Sequence, residues 1–145
     1  MAFVDASAMI AMIAGEQEAD DLANRLDRRQ LRLCSALSSW KTVAGLHRSY
    51  HFASGAARAT VASFMAPNGL WVVVSGATES DVALEAYAAF GEQRHPAALN
   101  LGDCFTYACA RVNRMPLLFK GDEFGRTDVL AAEAISQIRR ASGIP

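Results

Sequence analysis

A chain of 145 residues that is 52% hydrophobic and 20% charged, with four prolines, has the size and make-up of one globular domain, residues 1–145, with a sizeable core. A net charge of −1 excludes indiscriminate binding to nucleic acid over the whole surface, because phosphate affinity comes from neutralising cations. Cys34, Cys104 and Cys109 are odd in number and include no C-x-x-C pair, which argues against a disulfide framework or a zinc site and for a reducing, cytoplasmic setting.

Along the chain, Ala2-Phe3-Val4-Asp5 reads as a short apolar strand closed by an acid, and no basic residue precedes it as a secretory signal would require. Ser7 to Ile13 reads as a buried helix ended at Gly15. Glu16 to Arg28 carries Ala19, Leu22, Ala23 and Leu26 at helical spacing among charges, which predicts an amphipathic surface helix. Leu31, Leu33 and Cys34 make a second strand, and Ser35 caps a helix from Ala36 to about Tyr50. A helix over Gly55 to Met65 ends before the Pro67-Asn68-Gly69 turn, which splits the uncharged stretch Ala59 to Thr78 and rules out a membrane span there. Leu70 to Val74 is a third strand, apolar on both faces and so expected to be covered by helices on each side. Glu79 to Glu92 is helical, with Val82, Ala83, Ala86, Tyr87 and Phe90 facing inward; Gly102 to Val112 is a further helix, and Met115 to Phe119 a fourth buried strand.

Strands separated by helices imply right-handed crossovers and an α/β fold in which helices sandwich a mainly parallel sheet. In such sheets a ligand lies beyond the carboxyl ends of the strands. Asp5 ends the first strand, Asp103 opens the helix before the fourth, and Asp122 follows the fourth after Lys120-Gly121. Taken singly, each has a structural use: Asp5 as a helix cap, Asp103 on its helix dipole, Asp122 in a turn with Gly121. Together at one sheet edge, they would repel one another without a cation, and a hard divalent ion is what such carboxylates hold.

Three segments carry a resemblance: Phe3-Val4-Asp5-Ala6-Ser7-Ala8, His95 through Leu99-Asn100-Leu101-Gly102-Asp103-Cys104-Phe105, and Pro116-Leu117-Leu118-Phe119-Lys120-Gly121-Asp122-Glu123-Phe124 with Thr127-Asp128 beyond. In this order they resemble the VapC-type PIN-domain toxins along the whole chain. The resemblance implies a PIN-like three-layer α/β/α sandwich. It also implies an endoribonuclease dependent on Mg²⁺ or Mn²⁺, usually a homodimer, silenced by a cognate VapB antitoxin. It makes Asp5, Asp103 and Asp122 metal ligands, sets Ser7 beside them, and gives Asn100, Thr127 and Asp128 supporting roles. The metal would activate a water for attack on phosphorus, leaving a 5′-phosphate and a 3′-hydroxyl. No Ser-His-Asp set is needed, and His47, His51 and His95 are expected to be structural, solvent-facing or in contact with phosphate.

One position departs from the family pattern. Where those toxins read S-A-L-x-x-W-E, this chain reads Ser35-Ala36-Leu37-Ser38-Ser39-Trp40-Lys41. An ammonium in place of a carboxylate changes the local charge by two units and opposes a cation among the remaining acids, so Lys41 is expected to pair with an aspartate and attenuate or abolish activity. The alternative is that Lys41 snorkels to solvent and the aspartates still hold the ion. Between Arg25 and Arg58, seven Lys and Arg face the single acid Asp27. Arg25, Arg28, Arg29, Arg32 and Arg48 are the candidate RNA contacts, against the simpler reading of a solvated face. Met9, Met12, Trp40, Leu46, Tyr50 and Phe52 exceed one core stripe, and any surplus suits a dimer face or an antitoxin helix. The rival from another class is a PIN module that binds antitoxin or RNA without cutting, which Lys41 favours. A receiver domain, a haloacid-type phosphatase and a dinucleotide-binding domain lack their further motifs.

Overall fold

The structure, a computed structural model, describes residues 1–132. In chain order the elements are β1 (Ala2–Val4), α1 (Ala6–Ala14), α2 (Ala19–Asp27), β2 (Arg32–Ser35), α3 (Ala36–Tyr50), α4 (Ser54–Met65), β3 (Leu70–Val73), α5 (Ala77–Phe90), α6 (Leu101–Val112) and β4 (Leu117–Leu118), followed by a 3-10 turn at Phe124–Arg126. Polar caps set the starts. Asp5 accepts the Ser7 N–H at the head of α1, Ser35 accepts the Ser38 N–H at α3, and Asn100 accepts the Asp103 N–H at α6. Left-handed residues set two ends, Gly15 (φ 69°) after α1 and His51 (φ 61°) after α3.

The four strands run parallel in the order β3-β2-β1-β4, with Phe3 opposite both Leu33 and Leu117. Side chains alternate across a strand, so successive residues serve different layers. Phe3, Leu33 and Leu117 pack with Ala83, Ala86, Leu99 and Tyr107 of the α5–α6 side, whereas Ala2, Val4, Cys34 and Leu118 pack with Met9, Leu22 and Leu26 of the α1–α2 side. This is the expected α/β/α sandwich. A smaller cluster of Leu46, Ala57 and Val61 joins α3 and α4 to the Ile10 and Ile13 side of α1.

Two expectations are corrected. The third strand is not covered on both faces: β3 is an edge strand, with Trp71 69%, Val72 53% and Val74 83% exposed. A run of β-branched and aromatic residues reports β propensity, not cover. Tyr87, expected on the inner face of α5, is 43% exposed, and the Arg94 guanidinium stacks 5.0 Å from its ring centre. Met9 and Leu46 are fully buried, while Trp40 is 66% exposed. The three cysteines are buried and free, and burial pushes the Cys34 and Cys104 thiols up to about 11. The His47 Nδ1 lies 2.6 Å from the Phe52 carbonyl, and His95 Nδ1 accepts the Ala97 N–H at 3.0 Å, both local structural contacts. No helix among the described residues is long and apolar enough to cross a membrane.

Candidate active site at the carboxyl edge of the sheet

Because the strands are parallel, β1, β2 and β4 all end at one edge, and the residues that follow them converge there. A cavity of about 330 Å³ opens at this edge, lined by Asp5, Ser7, Lys41, Asn100, Asp103 and Glu123 among others. Asp5 leaves the end of β1 and is only 3% exposed, but neither of its oxygens is idle. Oδ2 accepts the Ser7 N–H at 3.0 Å and Oδ1 the Thr106 hydroxyl at 3.0 Å. Ser7 in turn accepts the Lys120 N–H through Oγ at 3.0 Å, which ties the chain beyond β4 to the head of α1.

Asp103 arrives from the first turn of α6. Its backbone N–H donates to Asn100 Oδ1 at 2.9 Å, while its own Oδ2 accepts the Asn100 N–H at 3.1 Å, a reciprocal cap that fixes the carboxylate at the helix mouth. Burial pushes the Asp103 carboxyl above its ordinary value; the Asn100 N–H and the Lys41 charge pull it down, and the charges of Asp5 and Glu123 push it up again.

Lys41 reaches into this cavity from α3, its Nζ 3.6 Å from Asp103 Oδ1. The side chain is 28% exposed and that of Asp103 is 15% exposed, and the ammonium lies toward the carboxylate rather than turned away from it as the snorkelling alternative expects. Room for it comes from Gly102, where an added Cβ would fall 2.6 Å from Nζ and 2.7 Å from Cδ of Lys41. Lys120 also lines the cavity, but its ammonium is engaged by Glu16 at 2.7 Å and Glu18 at 3.6 Å. That contact, with a smaller one from the Tyr50 hydroxyl, holds the Glu16 carboxyl below its ordinary value.

Several expected site residues stand elsewhere. Asp122 is exposed and does not line the cavity; the neighbouring Glu123 does. β4 ends at Leu118, and Gly121, at φ 102°, turns the chain just before the two acids, so strand alternation does not set which of them faces the cavity. Asp128 does not support the site: it accepts the Tyr107 hydroxyl at 2.6 Å and pairs with Arg111 at 3.0 Å, lining a separate cavity on the far part of α6. Thr127 closes the 3-10 turn, donating to the Phe124 carbonyl at 2.7 Å and accepting the Val129 N–H. It thus steadies Phe124, which lines the cavity. The candidate arginines do not line this cavity. Arg32 opens β2 opposite Ala2, at the amino ends of the strands, away from the carboxylates. Its guanidinium donates to the Arg29, Asn68 and Asp27 carbonyls. Arg25 pairs with Asp21 at 2.8 Å, and Arg28 and Arg29 follow the end of α2 near the same amino edge. Arg48 is exposed on α3. Sequence reasoning missed Thr106 and Glu123. Thr106 stood one helical turn after Asp103, on the same face of α6, which was the available signal.

As it stands, this donor set does not suit a divalent ion. Among the described residues no group of three or more His, Cys, Asp or Glu side chains is arranged to hold a metal. Lys41 puts a positive charge where the ion's charge would go.

The fold has known counterparts. The PIN domain model matches residues 2–130. Ribonuclease VapC30 of Mycobacterium tuberculosis (strain H37Rv) is 34% identical, over 87% of this chain and 94% of that protein. A VapC ribonuclease of Rhizobium meliloti (strain 1021) is 36% identical over 89% and 99%. Among solved structures, Mycobacterium tuberculosis VapC20, described as a Sarcin-Ricin loop cleaving toxin, superposes with a TM-score of 0.71 at 19% identity, covering 90% of this chain and 97% of that one. With the PIN domain matched over residues 2–130 and relatives above 30% identity over most of both chains, the chain belongs to the PIN-domain family of VapC ribonucleases.

Proposed function

We propose that this chain is the toxin half of a type II toxin–antitoxin pair, an endoribonuclease that takes RNA at the cavity between Asp5 and Asp103 and is restrained by a VapB-type antitoxin. The observation that carries the reading is the convergence of those two carboxylates, from β1 and from α6, in one cavity of a chain related over most of its length to VapC ribonucleases. Ser7, Asn100 and Thr106 act as positioning residues, each fixing a carboxylate or the backbone beside it. Lys41 is the cation that a phosphate meets on entering the cavity. The family's ion is Mg²⁺ or Mn²⁺, and Lys41 attenuates whatever such an ion would contribute here.

Lys41 also favours a second reading, a non-cutting module that binds RNA or antitoxin through the same surface. Cleavage of a structured RNA in Mn²⁺ by the unaltered chain, by Lys41→Glu and by Lys41→Glu with Asp5→Asn separates the two. The ribonuclease reading expects cutting by Lys41→Glu at least about tenfold above that of the unaltered chain, and loss in the double variant. Activity in none of the three would leave the binding module.

The same proposal extends to a homodimer. Trp71, Val72 and Val74 of β3 and the residue after it, with Leu101 of α6 and Leu84 of α5, form an exposed apolar tract that includes cavities lined by Leu37, Phe105 and Tyr87. Apolar tracts of this kind mark association surfaces.

A further inference from the structure

We infer that Lys41 is the resident cation of the carboxylate cavity and that it excludes a divalent ion from it; the inference rests on reading this cavity as the site. The first ground is charge. Asp5, Asp103 and Glu123 face Lys41 and Lys120 across the cavity, but the Lys120 ammonium is drawn off by Glu16 and Glu18, neither of which lines it. Lys41 is left to balance the interior acids.

The second ground is the state of the ligand atoms. Of the four oxygens on Asp5 and Asp103, three already accept a hydrogen bond, from Ser7, Thr106 and Asn100. The fourth, Asp103 Oδ1, is the oxygen that Lys41 Nζ approaches at 3.6 Å. An ion bound to it at about 2.1 Å would sit no more than about 6 Å from an ammonium, a repulsion that a site without Lys41 would not carry.

The third ground is that the lysine has a seat. Its stem and amine lie against the bare Cα of Gly102, so close that any side chain there would overlap Cδ, Cε and Nζ. Gly102 is also the residue next to Asp103 in the first turn of α6, so the seat and the carboxylate move as one.

Titration of the full chain with Mn²⁺, followed by calorimetry and by the electron spin resonance of free Mn²⁺, tests this without any RNA. The unaltered chain should show no saturable site at millimolar Mn²⁺. Lys41→Glu should bind at least about 100-fold more tightly, since it replaces a repulsive charge by a ligand. Lys41→Gln should fall between. Gly102→Ala, which leaves every charge in place but removes the seat, should also gain affinity over the unaltered chain. Circular dichroism confirms that each variant is folded; if Lys41→Glu is not, Lys41→Gln and Gly102→Ala carry the comparison. Tight Mn²⁺ binding by the unaltered chain, or no gain in the folded variants, would overturn the inference. Because the isotherm reads the cavity's charge whether or not RNA is cut, failure here and failure of the ribonuclease reading are separately visible.

Discussion

Asp5 is a buried acid whose charge is met by one amide and one hydroxyl rather than by a cation. Removing the hydroxyl strands half of that carboxylate, because Thr106 is equally buried and no solvent replaces it. Thr106→Val should therefore cost about 1–3 kcal/mol, seen as a fall of several degrees in Tm, while Thr106→Ser retains most of it. Asp103 makes a different prediction. Burial raises its carboxyl above 3.8, so the folded chain takes up this proton at a higher pH than the unfolded chain does. The stability gained is fully present below 3.8 and is lost as pH rises through the raised folded value. Asp103→Asn should flatten the acid side of the Tm-against-pH curve in that window, and an unchanged slope would assign the effect to another group. Neither acid's environment could be read from its own letter. What could be read was its place after a strand or at a helix start, and that was enough to bring both to one cavity.

At the scale of elements, the helices with a polar cap and a punctuating end were legible and the rest were less so. The span of α3 was legible because Ser35 has a hydroxyl to cap with and the apolar spacing stops at Tyr50. Only Leu117 and Leu118 of the expected Met115 to Phe119 strand pair with a neighbour, since pairing depends on β1, itself three residues long. The segment after β4 was the least legible, because the chain turns at Gly121 and strand alternation no longer says which of two adjacent acids faces inward. Nor could a count of arginines say which end of the sheet they occupy; that follows only once β2 is seen to start at Arg32. Helix α6 joins both matters, as its cap is also the mount for Asp103. Asn100→Ala should cost about 1 kcal/mol of stability through loss of the cap. It should also weaken RNA binding at the cavity beyond what Asn100→Ser does, which keeps a capping oxygen without adding charge, measured by denaturation and by fluorescence anisotropy on the same samples.

For the molecule as a whole, the layers follow from the alternation of Phe3, Leu33 and Leu117 against Val4, Cys34 and Leu118, which any apolar strand pattern between helices would suggest. The tract around β3 was not legible, since the same letters spell a central strand. Light scattering across a concentration series should find a dimer, and Trp71→Glu with Val74→Glu should give a monomer whose Tm at low concentration is within about 0.5 kcal/mol equivalent of the parent, as for other exposed changes. A strict monomer from the outset would remove the dimer.

The position of β3 at the margin of the sheet has a further result. Its outer row of amide and carbonyl groups has no neighbouring strand among the described residues, and it is flanked by bulky nonpolar side chains without a single charge from Leu70 to Val74. Such a border is a template onto which any extended polypeptide can add. One lysine placed at Val72 should therefore keep the chain in solution to a higher concentration than the same lysine placed on α2.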